Sequence, residues 1–145
     1  IASGAGQGNG AASSVTFQTP TVGTSGSGAQ TLSTRLVIDS TGATISVPLI
    51  TTPQALSGAG AINITTGTTA FTSTGALQAL TLADGSNGQI KTIVHVVAGG
   101  SGLLTPTTKS GYTTITFTNV GDSVTLQFFT GAGWCIVGIF GAVAA

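Results

Sequence analysis

The sequence predicts an all-β protein: an antiparallel β-sandwich, jelly-roll-like, behind a flexible Gly/Ala/Ser N-terminal arm. Three observations predict it. From Thr31 onward apolar residues alternate with threonine or serine at a period of two, the mark of half-buried strands. Turns rich in glycine interrupt that alternation roughly every 8 to 12 residues, as in sandwiches and barrels. No apolar series at helical spacing lasts long enough to define a helix. Threonine is the most abundant residue, and being β-branched and polar it suits the solvated face of a pleat without adding charge.

Residues 1–30 are built from Gly, Ala, Ser, Thr and Gln, with Ile1, Val15, Phe17 and Val22 the only sizeable anchors, which predicts an extended arm ahead of a sandwich domain at 31–145. Leu32, Leu36 and Ile38 share one face of a first strand, and the turn residues Asp39, Ser40, Thr41 and Gly42 lead to a second carrying Ile45, Val47 and Leu49. Pro48 and Pro53 make that second strand an edge or end it early, because proline cannot donate to a ladder. Short strands at 61–64 and 68–72 flank Gly67, and a strand at 76–82 closes on the loop Asp84-Gly85-Ser86-Asn87-Gly88. The 89–98 stretch carries Ile90, Val94 and Val96 on one face and Ile93 and Val97 on the other, so it reads as central or buried on both sides. Pro106 assigns 103–107 to an edge. Ile115 and Phe117 mark a strand in 112–118, and Val124, Leu126 and Phe128 form the inward set of the next. Trp134, Ile136 and Phe140 form the inward set of the last. The total is roughly eight to ten strands. No strict repeat stands out, which argues against a solenoid or propeller.

Composition excludes several classes of function. Only 4 % of the 145 residues are charged and the net charge is zero, whereas a nucleic-acid binder needs clustered Lys and Arg to displace counterions. With 41 % hydrophobic residues the chain can fill a core, so it is not of the common disordered type. No run approaches the roughly 18–20 apolar residues of a spanning helix, and no secretory signal opens the chain. Beginning at Ile1 and lacking methionine, it reads as a processed product or a segment of a longer protein. So uncharged an apolar surface is poorly soluble on a free monomer, which predicts coverage by copies of itself or by a larger assembly.

Catalytic chemistry has few residues to use. Asp39, Asp84 and Asp122 each sit beside turn residues, where a carboxylate bonds nearby backbone N–H groups, and the reading is a turn role rather than a glycosidase pair. His95 and Cys135 could in principle form a nucleophile and base pair, yet both are embedded in apolar strands and read as core residues. One Cys and one His cannot make a zinc site, and a lone cysteine forms no intrachain disulfide. Calcium at the 84–88 loop is the one metal reading the sequence admits, and no metal or cofactor is expected. The glycine-rich run at 4–10 lacks the lysine, strand and helix of a phosphate loop. Trp134, Tyr112 and Phe129 could form a sugar-stacking platform, but the alternation of Trp134 with Ile136 and Phe140 favours core or subunit interface. The residues expected at a subunit interface are Ile93, Val97, Phe129 and Ile139, which fall on the second face of their strand or out of register with the inward sets.

One resemblance spans residues 60–141. It is carried by an ordered series of blocks: ALTLADG at 79–85, GQIKTI at 88–93, LTP at 104–106, ITFTNVGDSVTL at 115–126, and Gly133-Trp134 with a glycine close by. This series resembles a module of virion structural proteins of tailed phages from marine and freshwater bacteria, cyanophages included. The resemblance implies a non-enzymatic, trimeric β-domain located in the virion, either a capsid decoration or cement protein or a fibre or spike domain. Its implied partners are copies of itself in a homotrimer, together with the major capsid protein or with fibre and tail proteins, and it brings no catalytic residues. The shell role is favoured over the fibre role because the chain is short and carries no long shaft repeat. The fibre alternative expects receptor or glycan binding with Trp134 or Tyr112 exposed in a shallow groove. A bacterial adhesin fits the composition but not the blocks. On the shell reading the 1–30 arm would lie across a neighbouring capsomer.

Overall fold

A computed structural model describes residues 14–20 and 32–145, so most of the 1–30 arm lies outside the described residues. The chain divides into two compact units, Ile1–Ile50 and Thr51–Ala145. The sequence reading divides it at residue 30, within the first of these.

The first unit holds a three-stranded antiparallel sheet in the order β1 (Val15–Pro20), β2 (Leu32–Asp39), β3 (Gly42–Ile45). β1 falls inside the stretch read as arm: Val15 and Phe17 alternate with polar residues over too few positions to stand out from the surrounding linker composition. Ser40 and Thr41 turn the β2–β3 hairpin, and the Asp39 carboxylate accepts bonds from the Thr41 hydroxyl and backbone N–H, which hold its pKa below the usual carboxylate value. β3 ends at Ile45, short of the expected 45–49 strand, with Pro48 beyond it. The apolar row Phe17, Leu36 and Ile45 runs across the three strands and stays partly open, with Phe17 and Ile45 exposed.

The second unit is a sandwich of two five-stranded sheets. Its strands are β4 (Gln54–Ser57), β5 (Gly60–Ile62), β6 (Thr68–Ser73), β7 (Gln78–Leu82), β8 (Ile90–Ala98), β9 (Gly102–Pro106), β10 (Ile115–Phe117), β11 (Ser123–Phe129), β12 (Gly133–Phe140) and β13 (Val143–Ala144). One sheet runs β12-β11-β8-β6-β4 and the other β13-β10-β9-β7-β5. The all-β sandwich is the predicted class, but the winding differs from an antiparallel jelly roll. β4, β6 and β8 pair in parallel in one sheet, and β5, β7 and β9 in parallel in the other. The chain changes sheet at every strand from β4 to β9, so 54–106 wind as three stacked two-strand coils. β10 to β13 then extend both sheets antiparallel on the far side. A solenoid-like half therefore exists without the repeat that would announce it, because β4, β6 and β8 begin at unequal steps, residues 54, 68 and 90. β9 is central rather than an edge: Pro106 is its last residue, and the missing N–H falls where the ladder ends.

The core lies between the sheets. Phe71, Ile93, Val124, Leu126, Phe128 and Trp134 come from one, and Ile62, Leu80, Leu82, Leu104, Ile115 and Phe117 from the other. Two bulges decide what faces outward. Phe71 pairs with His95 and Thr72 with Val97, so Val96 is the extra residue and Val97 turns to the outer face. In β12, Val124 pairs with Ile139 but Leu126 pairs with Ile136, so Val137 is extra. Beyond it Ile139 is on the inward side, and Phe140, expected inward, faces out at 74 % exposure.

Candidate functional site

The polar groups that come together, His95, Ser73 and Asp122, are all buried. His95 is fully buried on the inner side of β8, stacked on Phe71 with ring centroids 5.0 Å apart, and its Nε2 lies 2.8 Å from the Ser73 hydroxyl. Its Nδ1 is buried without a partner. Cys135 pairs opposite Gln127 on the outer face of the same sheet, so strand alternation puts thiol and imidazole on opposite sides of the layer and no thiol–imidazole pair forms; the hydroxyl that does reach His95, that of Ser73, is buried with it.

The carboxylates are occupied by backbone work. Both oxygens of Asp84 bond Thr108, through its backbone N–H at 3.0 Å and its hydroxyl at 2.9 Å, a clamp between two loops rather than within its own turn. Asp122, buried, accepts from the N–H groups of Thr118 and Asn119 and closes the turn before β11. The calcium reading of the 84–88 loop thus loses its carboxylate to Thr108. Among the described residues no three His, Cys, Asp or Glu side chains come together as metal ligands.

The sugar-stacking platform is not assembled either. Trp134 is fully buried, edge-on to Phe128, with Nε1 donating to the Ala83 carbonyl at 2.9 Å. The Tyr112 hydroxyl is buried without a partner, and burial, with a smaller contribution from nearby Cys135, pushes its pKa up to about 12.

The sequence reading misses Lys91. It lies on the inner side of β8 beside Ile93 and is fully buried, and its ammonium donates to the Thr66 carbonyl at 2.8 Å and the Thr66 hydroxyl at 3.0 Å. No carboxylate pairs with it among the described residues, and desolvation lowers its pKa from 10.5 to about 8. A polar residue inside an apolar run is the available signal, and the alternation with Ile93 places it inward. Since the unfolded chain keeps this proton up to a higher pH than the folded one does, stability should rise as pH climbs from 8 toward 10, by a gain of order 2 kcal/mol. Tyr112 has the opposite sign: its folded pKa lies above the ordinary 10.0, so stability falls as pH passes from 10 toward 12. Lys91→Met should abolish the rise between pH 8 and 10 in denaturant titrations, and a rise like that of the parent would assign it to another group.

The surface is left as the candidate. The outer face of the β12-containing sheet carries Ala70, Thr92, Val94, Thr125 and Phe140 among its residues, and no charged side chain stands on it. Of the residues expected at an interface, Val97, Phe129 and Ile139 are exposed, at 53, 40 and 42 %. Ile93 is a correction: the Lys91, Ile93, His95 series points between the sheets and Ile93 is fully buried in the core, so it cannot reach a partner. Exposed apolar residues also include Ile90, Val120, Val137 and Val143. No protein-family model and no curated protein matches the chain.

Proposed function

We propose that this chain is a structural virion protein that decorates and stabilises a capsid shell through oligomeric, trimeric packing. The observation that carries the reading is the surface of the second unit. Eleven of its large hydrophobic residues are exposed, while of its four charged side chains Lys91 and Asp122 are buried. Monomeric proteins keep apolar patches small and rely on charge for solubility, so this surface suits a protein held against others. Its charge-poor faces lack the groups that serve catalysis: Cys135 lies on the opposite side of the sheet from His95, and Asp122, whose backbone is bonded to that of His95, has its carboxylate taken by the Thr118 and Asn119 N–H groups. The virion assignment rests on the block series at 79–141, which covers β7 to β12.

The second reading, a trimeric fibre or spike domain, is favoured by the parallel coils of β4 to β9, since stacked coils are how elongated shafts are built. Burial of Trp134 and of the Tyr112 hydroxyl weighs against a glycan platform at those residues. Copy number and position on purified particles separate the two. A ratio near one chain per major shell subunit, with density over the capsid lattice, is expected. A few copies at a vertex or tail would replace the shell role by the fibre role, and absence from particles would overturn both.

A further inference from the structure

The two edges of the sandwich are built differently. At one side lie β4 and β5, four and three residues long, with Pro53 just ahead of β4 and the Gln54 amide bridging to the Ala61 carbonyl and the Asn63 N–H. This is a short, capped edge of the kind that resists pairing. At the other side lies β12, eight residues without charge or proline. Its first part is covered, because the Trp134 N–H donates to the Thr108 carbonyl and the Trp134 carbonyl accepts from the Ser110 N–H. From Ile136 to Phe140 no strand pairs on that side among the described residues.

The free segment reads Ile-Val-Gly-Ile-Phe, and Val137, Ile139 and Phe140 are all exposed. Ile139 is the informative one: it pairs with Val124 on the side facing the opposite sheet, yet remains 42 % exposed. The core is therefore open at this edge. Val143 of β13, the edge strand of the other sheet on the same side, is exposed as well. An uncharged, apolar edge with free backbone groups and an unfinished core behind it is a template for another strand.

We propose that this edge pairs antiparallel with the same edge of a second copy, about a two-fold axis near Gly138, joining two five-stranded sheets into one sheet of ten. The choice of occupant comes from matching edges. The opposite edge of the sheet, β4, is polar at its start, follows Pro53 and is bridged by the Gln54 amide, so it resists a head-to-tail contact. A second β12 offers the same length and the same apolar side chains. An isologous contact satisfies the free backbone groups of both copies at once. The pairing rests on the reading that the chain assembles with itself and adds to it: this contact joins copies in twos, and a trimeric unit would be held by other faces.

Gly138 supplies the probe. It has no positive φ, and a Cβ added there meets nothing within 4 Å, so a cysteine fits without strain. In the full chain carrying Cys135→Ser and Gly138→Cys, mild oxidation should give a covalent dimer about tenfold or more faster than in Cys135→Ser with Leu77→Cys, an exposed position away from the edge. In the native-cysteine chain, Val137→Lys, at an exposed bulge position, should halve the mass of the paired species in sedimentation while leaving the far-ultraviolet spectrum unchanged. Cross-linking no faster than the Leu77→Cys control, or an unchanged mass for the lysine variant, would overturn the pairing. Its fate is separable from that of the shell reading. Lattice density on particles with no covalent dimer of the Gly138→Cys chain removes only the pairing, and such dimers with no chain on particles remove only the shell role.

Discussion

Replacing Trp134 by alanine should lower the stability of the second unit by roughly 3–5 kcal/mol, the largest loss expected of any side-chain truncation here. The indole is fully buried, meets Phe128 with centroids 5.3 Å apart, and donates to the Ala83 carbonyl. It also supports the 83–89 loop, since a Cβ added to Gly85 would lie 2.9 Å from the ring carbon Cζ2. Alanine removes the apolar contact, leaves the Ala83 carbonyl without its donor and opens a cavity under that loop. Trp134→Phe should recover part of the loss by filling the space without restoring the hydrogen bond. Denaturant midpoints read both, and a loss for alanine below about 1 kcal/mol would show that the indole does not anchor the core.

Gly133→Ala should cost about 3 kcal/mol or more, although it adds a single methyl group. Gly133 has φ +82°, and an added Cβ would lie 2.4 Å from the carbonyl carbon and oxygen of Thr108. Those are backbone atoms of the segment bonded to Trp134, so the methyl cannot be accommodated by rotating a side chain. Either the 108–110 segment leaves β12, taking the Asp84–Thr108 clamp with it, or the start of β12 moves. Gly131→Ala isolates the conformational part: its φ is +90° but nothing lies within 4 Å, so it should cost only about 1 kcal/mol. Equal losses at the two positions would show that the Thr108 contact contributes nothing.

The parts of this fold legible in the sequence are those that alternation encodes. Val124, Leu126 and Phe128 read as an inward set and are inward, and Ile115 with Phe117 likewise, because a strand with one dry face must place apolar residues two apart. Pairing direction leaves no such trace: a residue faces the core identically in a parallel or an antiparallel neighbourhood, so the coils of β4 to β9 are hidden. β4 itself escapes notice, since Gln54, Ala55, Leu56 and Ser57 hold one large apolar residue among four. Bulges are invisible for another reason. The extra residues Val96 and Val137 look like their neighbours, yet each reverses the faces of the residues beyond it, which exchanges the expected roles of Ile139 and Phe140. Of the candidate chemistry, the turn role read for Asp39 and Asp122 is what the structure has, while Asp84 reaches a residue 24 positions away that no local pattern could name.

Lys91 bears on the same point. A buried ammonium with only Thr66 to bond is costly at neutral pH, so the apolar packing around it must offset that cost. The solenoid-like half thus has a partly polar interior behind an exterior whose one charged side chain is Asp84, and the antiparallel half ends on an open edge.

The central claim is that this charge-poor exterior is built to be covered by protein. Sedimentation of the full 145-residue chain over a wide concentration range tests it most directly. The predicted result is a mass that is a multiple of 14.0 kDa and falls only on dilution. A monodisperse 14.0 kDa species at every concentration, soluble with its apolar residues in water, would contradict it.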